Sequence, residues 1–214
     1  MHVVWDWNGT LVDDLPIVVE CVNAALAAIG ERPIDGDAYR EHYTRPVYRF
    51  YESLLDREIR QSEWETLDWV FHERYAASLD RVPLADGAND ALNAVDSRGW
   101  SQSILSMWWE EELAACVNRR GLTDRMTLIQ GNRNDGGGTK AEHLRNHLET
   151  LSVAPSSAVL IGDALDDASA AREVGVRCIL YDGGSHHTEE LERTGAPVTA
   201  SLTDAIDIAA EADR

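Results

Sequence analysis

The side chain best placed to do chemistry in this sequence is Asp6, in the segment VVWDWNGTLVDD at residues 3–14. The apolar VVW run predicts a short buried strand, and Asn8-Gly9 predicts a tight turn directly after it. The Asp6 carboxylate is therefore expected at the carboxyl end of a strand. In an open α/β sheet that edge is where ligands bind, because loops converge there without interrupting the hydrogen-bonded ladder.

Two later side chains are suited to hold an anion at the same edge. Ser106 comes at the end of the strand SQSIL, where its hydroxyl and the following backbone N–H, that of Met107, can hold a phosphate oxygen. Lys140 is the only lysine in the sequence and opens a predicted helix after GGG. Its ammonium group and the amides of the helix N-terminus would point at the same anion.

An acidic pair follows in VLIGDALDDASAAREVG at residues 159–175. The apolar run predicts a strand that ends at Asp163, and Asp167 falls on the first turn of the next helix, so that both carboxylates face one hard cation. Asp166 is an alternative cap for that helix. The segment alone fits a turn with acidic caps, but the earlier candidates, each placed after its own strand, favour a shared catalytic edge.

The elements that must position these side chains alternate between strand and helix. Strands are predicted at 3–5 and near 101–105, 126–130, 158–161 and 176–181, and helices at 14–30, 87–99, 109–120, 139–150 and 167–174. Such alternation predicts a parallel sheet with right-handed crossovers. GNRNDGGG at 131–138 is predicted to be a flexible loop.

Residues 31–83 show no strand pattern. Short helices are predicted at 37–43 and 46–55, and a longer one begins with the predicted capping box Ser62-Glu63-Trp64-Glu65. The block therefore predicts an all-helical insertion that ends near Pro83.

Composition and charge narrow the classes of partner and the location expected for the protein. The formal net charge is −19, from 38 acidic residues against 19 Lys and Arg, which disfavours nucleic acid and anionic membrane as partners. No apolar run approaches the roughly 18 residues of a membrane helix, and the N-terminus has no signal-type segment, so the cytoplasm is expected. Cys21, Cys116 and Cys178 are far apart and are predicted to be buried free thiols. No sequence feature indicates the oligomeric state.

Two other motifs are weaker. GGGTK suggests a nucleotide P-loop, but Ala141 stands where Ser or Thr should follow the lysine, and the glycine spacing is wrong. His143 and His147 are spaced to bind zinc on one helix, but no third ligand accompanies them, so a solvated helix face is favoured.

The motifs around Asp6, Ser106, Lys140 and the pair Asp163 and Asp167 resemble motifs I to IV of the haloacid dehalogenase superfamily. LADGANDALNAVDSRGW at 84–100 resembles its phosphoglycolate-phosphatase-like members. The resemblance covers essentially the whole chain. It implies an α/β fold with a Rossmann-like parallel sheet core, formed by residues 1–13 and 84–214, and an inserted all-helical cap at 14–83.

The resemblance also implies a magnesium-dependent phosphatase acting on a phosphorylated small molecule. Asp6 would attack phosphorus and form an aspartyl-phosphate, while Ser106 and Lys140 would hold the phosphoryl oxygens. Mg²⁺ would be held by Asp6, the backbone carbonyl of Asn8, Asp163 and Asp167. The substrate-binding set implied by the resemblance is Gly9, Thr10, Met107 and Arg45.

Asn8 departs from the family pattern, because it replaces the acid that would protonate the leaving group. Three hypotheses follow: the substrate has a good leaving group, such as an acyl or aryl phosphate or an anhydride; His42, Tyr43 or the substrate supplies the proton; or Asn8-Gly9 deamidates to Asp. The alternative function is a non-catalytic binder of a phosphorylated small molecule or partner protein. A dehalogenase proper is disfavoured, because it works without magnesium and would leave Asp163 and Asp167 unexplained.

Overall fold

The computed structural model describes residues 1–133 and 138–211. At its centre is a six-stranded parallel sheet in the order β3-β2-β1-β4-β5-β6. The strands are β1 (His2–Trp5), β2 (Ser101–Trp109), β3 (Ile129–Asn132), β4 (Ala158–Gly162), β5 (Arg177–Tyr181) and β6 (Val198–Thr199). Strand order runs outward in both directions from β1 and β4, which makes the gap between their carboxyl ends the topological switch point where ligands bind.

Helices cover both faces of the sheet. They are α1 (Leu15–Ala28), α2 (Gly36–His42), α3 (Val47–Leu55), α4 (Gln61–Ser78), α5 (Ala88–Ser97), α6 (Glu110–Arg119), α7 (Lys140–Leu151), α8 (Leu165–Val174), α9 (Thr188–Glu192) and α10 (Leu202–Glu211). Alternation along β1 explains the layers: Val3 and Trp5 point to the face covered by α5, α6 and α10, and Val4 points to the face covered by α7 and α8. The predicted α/β fold is confirmed.

Helices α1 to α4 form the predicted all-helical insertion. They enclose an apolar cluster of their own, in which Leu26, Phe50, Tyr51 and Leu67 are almost fully buried. Its assignment to residues 14–83 stays a prediction, since Ile17 and Tyr75 of these helices also pack into the cluster beside the sheet. Within the described ranges, no helix combines the length and apolar character needed to cross a membrane.

The sequence missed several elements. Strand β6 and helices α9 and α10 were not predicted, and β3 begins at Ile129, later than expected. The capping box at Ser62-Glu65 is wrong: α4 begins at Gln61, and the Glu63 carboxylate accepts the backbone N–H of Arg60 at 2.9 Å. Part of the predicted loop at 131–138 lies outside the described residues.

Two side-chain predictions also need correction. His147 does not lie on a solvated face; it is fully buried, with Nε2 at 2.7 Å from Ser103 Oγ and Nδ1 at 2.8 Å from Gln130 Oε1. Cys21 and Cys116 are buried free thiols as predicted, whereas Cys178 is only half-buried.

Candidate active site

At the carboxyl edge of the sheet, a buried lysine of α7 meets buried carboxylates that follow β1 and β4. Lys140 is the first residue of α7, whose N-terminus is capped by Thr139 and Glu142. Its Nζ lies 2.8 Å from Asp6 Oδ1 and 2.5 Å from Asp167 Oδ1. All three side chains are at most 8% exposed, so little water screens the ion pairs.

Asp163 completes the acidic group. It follows the last residue of β4 and accepts hydrogen bonds from the Ser185 backbone N–H at 2.7 Å and the Thr10 hydroxyl at 3.2 Å. Gly9, at φ +71°, is required beside it, because a Cβ at this position would lie 2.5 Å from Asp163 Oδ2. These contacts fix the Asp163 carboxylate toward Asp6.

Burial perturbs the ionisation of the whole group. It raises the pKa of Asp6 to about 6, and it raises the pKa of Asp163 and of Asp167 to about 7, with neighbouring carboxylates adding to the effect. Burial alone would lower the pKa of Lys140, but Asp167 and Asp6 outweigh it and raise that pKa well above its ordinary value. Lys140 therefore stays charged.

The donor set fits a divalent cation. One oxygen from each of Asp6, Asp163 and Asp167 lies within 4.8 Å of the others, and all three residues are buried. Three carboxylates against the single charge of Lys140 leave the group with excess negative charge in a place that water cannot screen. Carboxylate oxygens are the ligands that Mg²⁺ prefers, so the residues present match the metal that the sequence predicts.

The side chain of Asn8 is held by two residues that the sequence analysis did not single out as functional. Its Nδ2 donates to Asp14 Oδ2 at 2.8 Å and to the Tyr75 hydroxyl oxygen at 2.7 Å. Tyr75 in turn donates to Asp14 Oδ2 at 2.6 Å, and the Gly9 N–H donates to Asp14 Oδ1 at 2.8 Å. Asp14 stands at the N-cap of α1, yet its carboxylate turns back to this network and makes no cap bond. The amide of Asn8 is thus a fixed donor with no proton to release.

A cavity of about 390 Å³ opens beside these residues. Its lining includes eight of the residues predicted from sequence, namely Asp6, Asn8, Gly9, Arg45, Ser106, Met107, Lys140 and Asp163. Ser106 Oγ accepts the Trp108 backbone N–H at 3.1 Å and lies 3.4 Å from Asn8 Oδ1. Thr10 and Asp167 are fully buried and lie behind this surface. Thr10 contacts Asp163, and Asp167 contacts Lys140.

Residues 1–175 match the family model described as haloacid dehalogenase-like hydrolase. The chain belongs to the haloacid dehalogenase-like hydrolase family. This membership makes the protein an enzyme of the hydrolase class, as the sequence motifs indicate.

Relatives of this hydrolase are phosphoglycolate phosphatases. The protein of that name from Synechococcus elongatus is 26% identical over 195 residues, which cover 88% of this chain and 87% of the relative. The one from Xylella fastidiosa strain Temecula1 is 29% identical over 195 residues, covering 88% and 82%. The crystal structure of a predicted phosphatase from Clostridium acetobutylicum superposes with a TM-score of 0.85 at 19% identity, covering 98% of each chain. That likeness establishes the fold.

Arg45 brings the helical insertion of the hydrolase to the candidate active site. The guanidinium Nε lies 3.5 Å from Asp166 Oδ2, and the side chain is about half exposed, 47%. Asp166 is therefore an ion-pair partner, and Asp167 makes the cap contact of α8, accepting the Ala164 N–H at 3.1 Å. Arg49, by contrast, is exposed and pairs with Glu52 at 2.9 Å.

Some residues of the site left only faint signals in the sequence. Asp14 and Tyr75 reach Asn8 through the tertiary fold. Asp14 and Tyr75 therefore had to be found from the structure, and so did Ser185, which contributes only a backbone N–H and carries no side-chain signature.

Of the two proton-donor candidates in the insertion, Tyr43 lines the cavity. His42 lies 2.9 Å from Ser53 and is not part of the described lining. Trp108 lines the cavity, and Trp109 is 40% exposed.

Proposed function

We propose that this hydrolase is a magnesium-dependent phosphatase that works through a covalent aspartyl-phosphate on Asp6. The observation that carries the proposal is the meeting of Asp6 and Lys140, 2.8 Å apart, at the end of a cavity that Ser106 and Asp163 also line. A buried carboxylate beside a permanently charged ammonium is suited to approach a phosphoryl group whose oxygens the same ammonium neutralises.

An oxygen of Asp6 bonds to phosphorus while the bond from phosphorus to the leaving-group oxygen breaks, and the leaving group departs as an anion or takes a proton from water. A water molecule then attacks phosphorus and breaks the bond from phosphorus to Asp6. Its protons pass to the released inorganic phosphate and to solvent, and the Asp6 carboxylate is restored. Lys140, Ser106 Oγ and the Met107 backbone N–H orient the phosphoryl oxygens, and positioning with charge stabilisation carries most of the barrier in such transfers.

Mg²⁺ fits the carboxylates of Asp6 and Asp163, with the Asn8 main-chain carbonyl and Asp167 as further members of its site. When bound, it would supply positive charge to the transferring phosphoryl group. Because Asn8 would contribute only its main-chain carbonyl, the amide side chain at this position would be compatible with metal binding.

Asn8 is expected to restrict the leaving group. General acid catalysis contributes about 10² to 10⁴ in rate, and the Asn8 amide donates its N–H bonds to Asp14 and Tyr75 instead. Alkoxides need that proton far more than phenolates or carboxylates do. We therefore propose a preference for aryl or acyl phosphates or anhydrides over alkyl phosphates, including the phosphoglycolate for which the relatives are named.

The test is magnesium-dependent release of phosphate from 4-nitrophenyl phosphate and from phosphoglycolate by wild type and by Asp6→Asn. We expect wild type to hydrolyse the aryl ester faster than the alkyl ester, and Asp6→Asn to lose at least about 10³ of the rate. Peptide mapping of the same sample shows whether Asn8 is unmodified, which separates this proposal from the deamidation hypothesis. A wild type inert toward both compounds and toward an acyl phosphate would favour the non-catalytic binder.

A further inference from the structure

The cavity is much larger than the phosphoryl site needs. Its volume of about 390 Å³ lies in the usual range for small-molecule pockets. Asp6, Lys140 and Ser106 occupy one end. The rest of the space belongs to the organic part of the substrate.

One face of α4 shows which way that space runs. Trp64, Asp68, Phe71 and Tyr75 all line the cavity and recur at helical spacing. Tyr75 touches Asn8, so this end of α4 lies at the phosphoryl site. Trp64 is eleven residues earlier, which is roughly 16 Å along the helix at about 1.5 Å per residue. The cavity therefore extends from the phosphoryl site along α4.

Aromatic rings form much of this extension. Trp64 packs edge-on against Tyr48 and Tyr51, with ring centroids 6.4 and 6.3 Å apart, and Phe71 stacks on Tyr75 at 5.8 Å. All five rings line the cavity. Such surfaces bind an apolar or aromatic group through burial and ring contacts.

The charges along the extension disfavour a second anion. Among the described lining residues, the positively charged side chains are Lys140 and Arg45, to which His72 adds a charge when protonated. Arg45 lies 3.5 Å from Asp166, and His72 lies 3.4 Å from Asp68, so both already face carboxylates. A carboxylate at the far end of a substrate would meet Asp68 and aromatic rings.

We propose that the substrate is a phosphate compound whose organic group is apolar and aromatic and carries no second anion. The inference rests on the proposed function for the phosphoryl end of the cavity. It assigns Trp64 and the rings beside it to recognition of that organic group.

Binding of stable phosphonates tests this inference without turnover. Benzylphosphonate, ethylphosphonate and phosphonoacetate are titrated into the magnesium-loaded wild type by calorimetry. We expect benzylphosphonate to bind about tenfold or more tightly than either of the others, the order expected for burying a phenyl ring. Equal affinities, or tightest binding of phosphonoacetate, would overturn the inference.

A pair of tryptophans on α4 supplies a matched control. Trp64 lines the cavity, whereas Trp69 is 63% exposed and lies outside the described lining. Because Trp64 lies roughly 16 Å along α4 from the phosphoryl end, its probes are the longer 6-phenylhexylphosphonate and hexylphosphonate. Trp64→Leu is expected to reduce the ratio of 6-phenylhexylphosphonate to hexylphosphonate affinity by about fivefold or more, and Trp69→Leu to leave it unchanged. Thermal melting confirms that both variants are folded. An unchanged ratio in folded Trp64→Leu counts against the assignment.

Turnover distinguishes this inference from the proposed function. Benzoyl phosphate and acetyl phosphate both have good leaving groups and differ mainly in the ring. Hydrolysis of both at equal efficiency overturns the inference and leaves the function intact. If neither is hydrolysed while benzylphosphonate binds tightest, the function fails and the recognition of an aromatic group stands.

Discussion

Position 8 is occupied by an amide that is clamped between a carboxylate and a phenol. Asp14 accepts from Asn8, Gly9 and Tyr75 at once, with three donor–acceptor distances between 2.6 and 2.8 Å. Burial raises the pKa of Asp14, and its hydrogen bonds oppose that effect. These hydrogen bonds require a carboxylate at Asp14 as the acceptor and an amide at Asn8 as a donor.

A change of Asn8 to Asp is therefore expected to destabilise the protein. It places a carboxyl oxygen about 2.8 Å from Asp14 Oδ2, the present Asn8 distance, where two buried carboxylates cannot both ionise. One keeps a proton in the folded state that the unfolded chain releases near pH 4, so stability falls as pH rises above that value. We expect Asn8→Asp to lose about 1–3 kcal/mol at pH 8 relative to wild type, and less at pH 5, by urea unfolding.

The matched control exchanges the two side chains. Asn8→Asp/Asp14→Asn again contains one amide and one carboxylate, and we expect it to recover most of the lost stability. Its carboxyl at position 8 should also raise the rate on an alkyl phosphate, by about 10² over wild type. If Asn8→Asp is as stable as wild type at pH 8, the hydrogen bonds around Asp14 do not depend on an uncharged side chain at position 8.

Magnesium is expected to stabilise the folded protein through Asp163. A ligand that binds only the folded state adds RT ln(1 + [L]/Kd), about 2.7 kcal/mol at a hundredfold excess over Kd. We expect magnesium to raise the Tm of wild type at pH 8 and to raise it much less at pH 5.5. Protons occupy Asp6 and Asp163 at the lower pH, because their pKa values are raised to about 6 and about 7.

Asp163→Asn is the variant to compare. It should lose most of the magnesium-dependent rise in Tm, while Glu111→Gln, on an exposed part of α6, should keep it. Equal rises in Asp163→Asn and wild type would place the metal elsewhere.

Strand β2 and helix α7 are joined by a buried histidine network beneath the site. His2 and His147 both contact Ser103 Oγ at 2.7 Å, from β1 and α7 respectively. Burial lowers the pKa of each histidine to about 4, with a smaller contribution from the positive N-terminus at His2 and from His2 at His147. The neutral imidazoles thus help to hold α7, and with it Lys140, against the sheet.

This network predicts that the protein loses stability in acid, and that protonation of His147 causes part of the loss. A histidine with a depressed folded pKa contributes stability that is fully present above the unfolded pKa of about 6.5 and is lost as pH falls toward about 4. His147→Gln has no proton to gain. We expect its stability relative to wild type to improve by about 1–3 kcal/mol between pH 7 and pH 4.5, measured by urea unfolding at each pH. A pH-independent difference between the two proteins would mean that His147 stays neutral for another reason.

Across the whole molecule, the feature most predictable from the sequence is the carboxyl edge of the sheet, where the candidate active site lies. Asp6, Lys140 and Asp163 could be placed together because each follows its own strand, and parallel strands end at one edge of the sheet. The fold followed from the same alternation of strand and helix.

Features that depend on tertiary packing could not be read from local patterns. His147 occupies a helix position that looks solvated, but β2 and β3 cover it. Asp14 looks like a helix cap, and its turn toward Asn8 depends on Tyr75, which arrives from α4. The aromatic extension of the cavity likewise forms only when α3 and α4 pack together.

Chemical trapping can detect the proposed aspartyl-phosphate on Asp6 directly. Wild type is mixed with magnesium and 4-nitrophenyl phosphate, quenched with borohydride, and digested for mass spectrometry. Borohydride reduces an aspartyl-phosphate to homoserine, so we expect the peptide containing Asp6 to carry homoserine at that position only when magnesium and substrate are both present. Reduction at another aspartate, or steady turnover with an unmodified Asp6 and full activity in Asp6→Asn, would show that Asp6 is not the nucleophile.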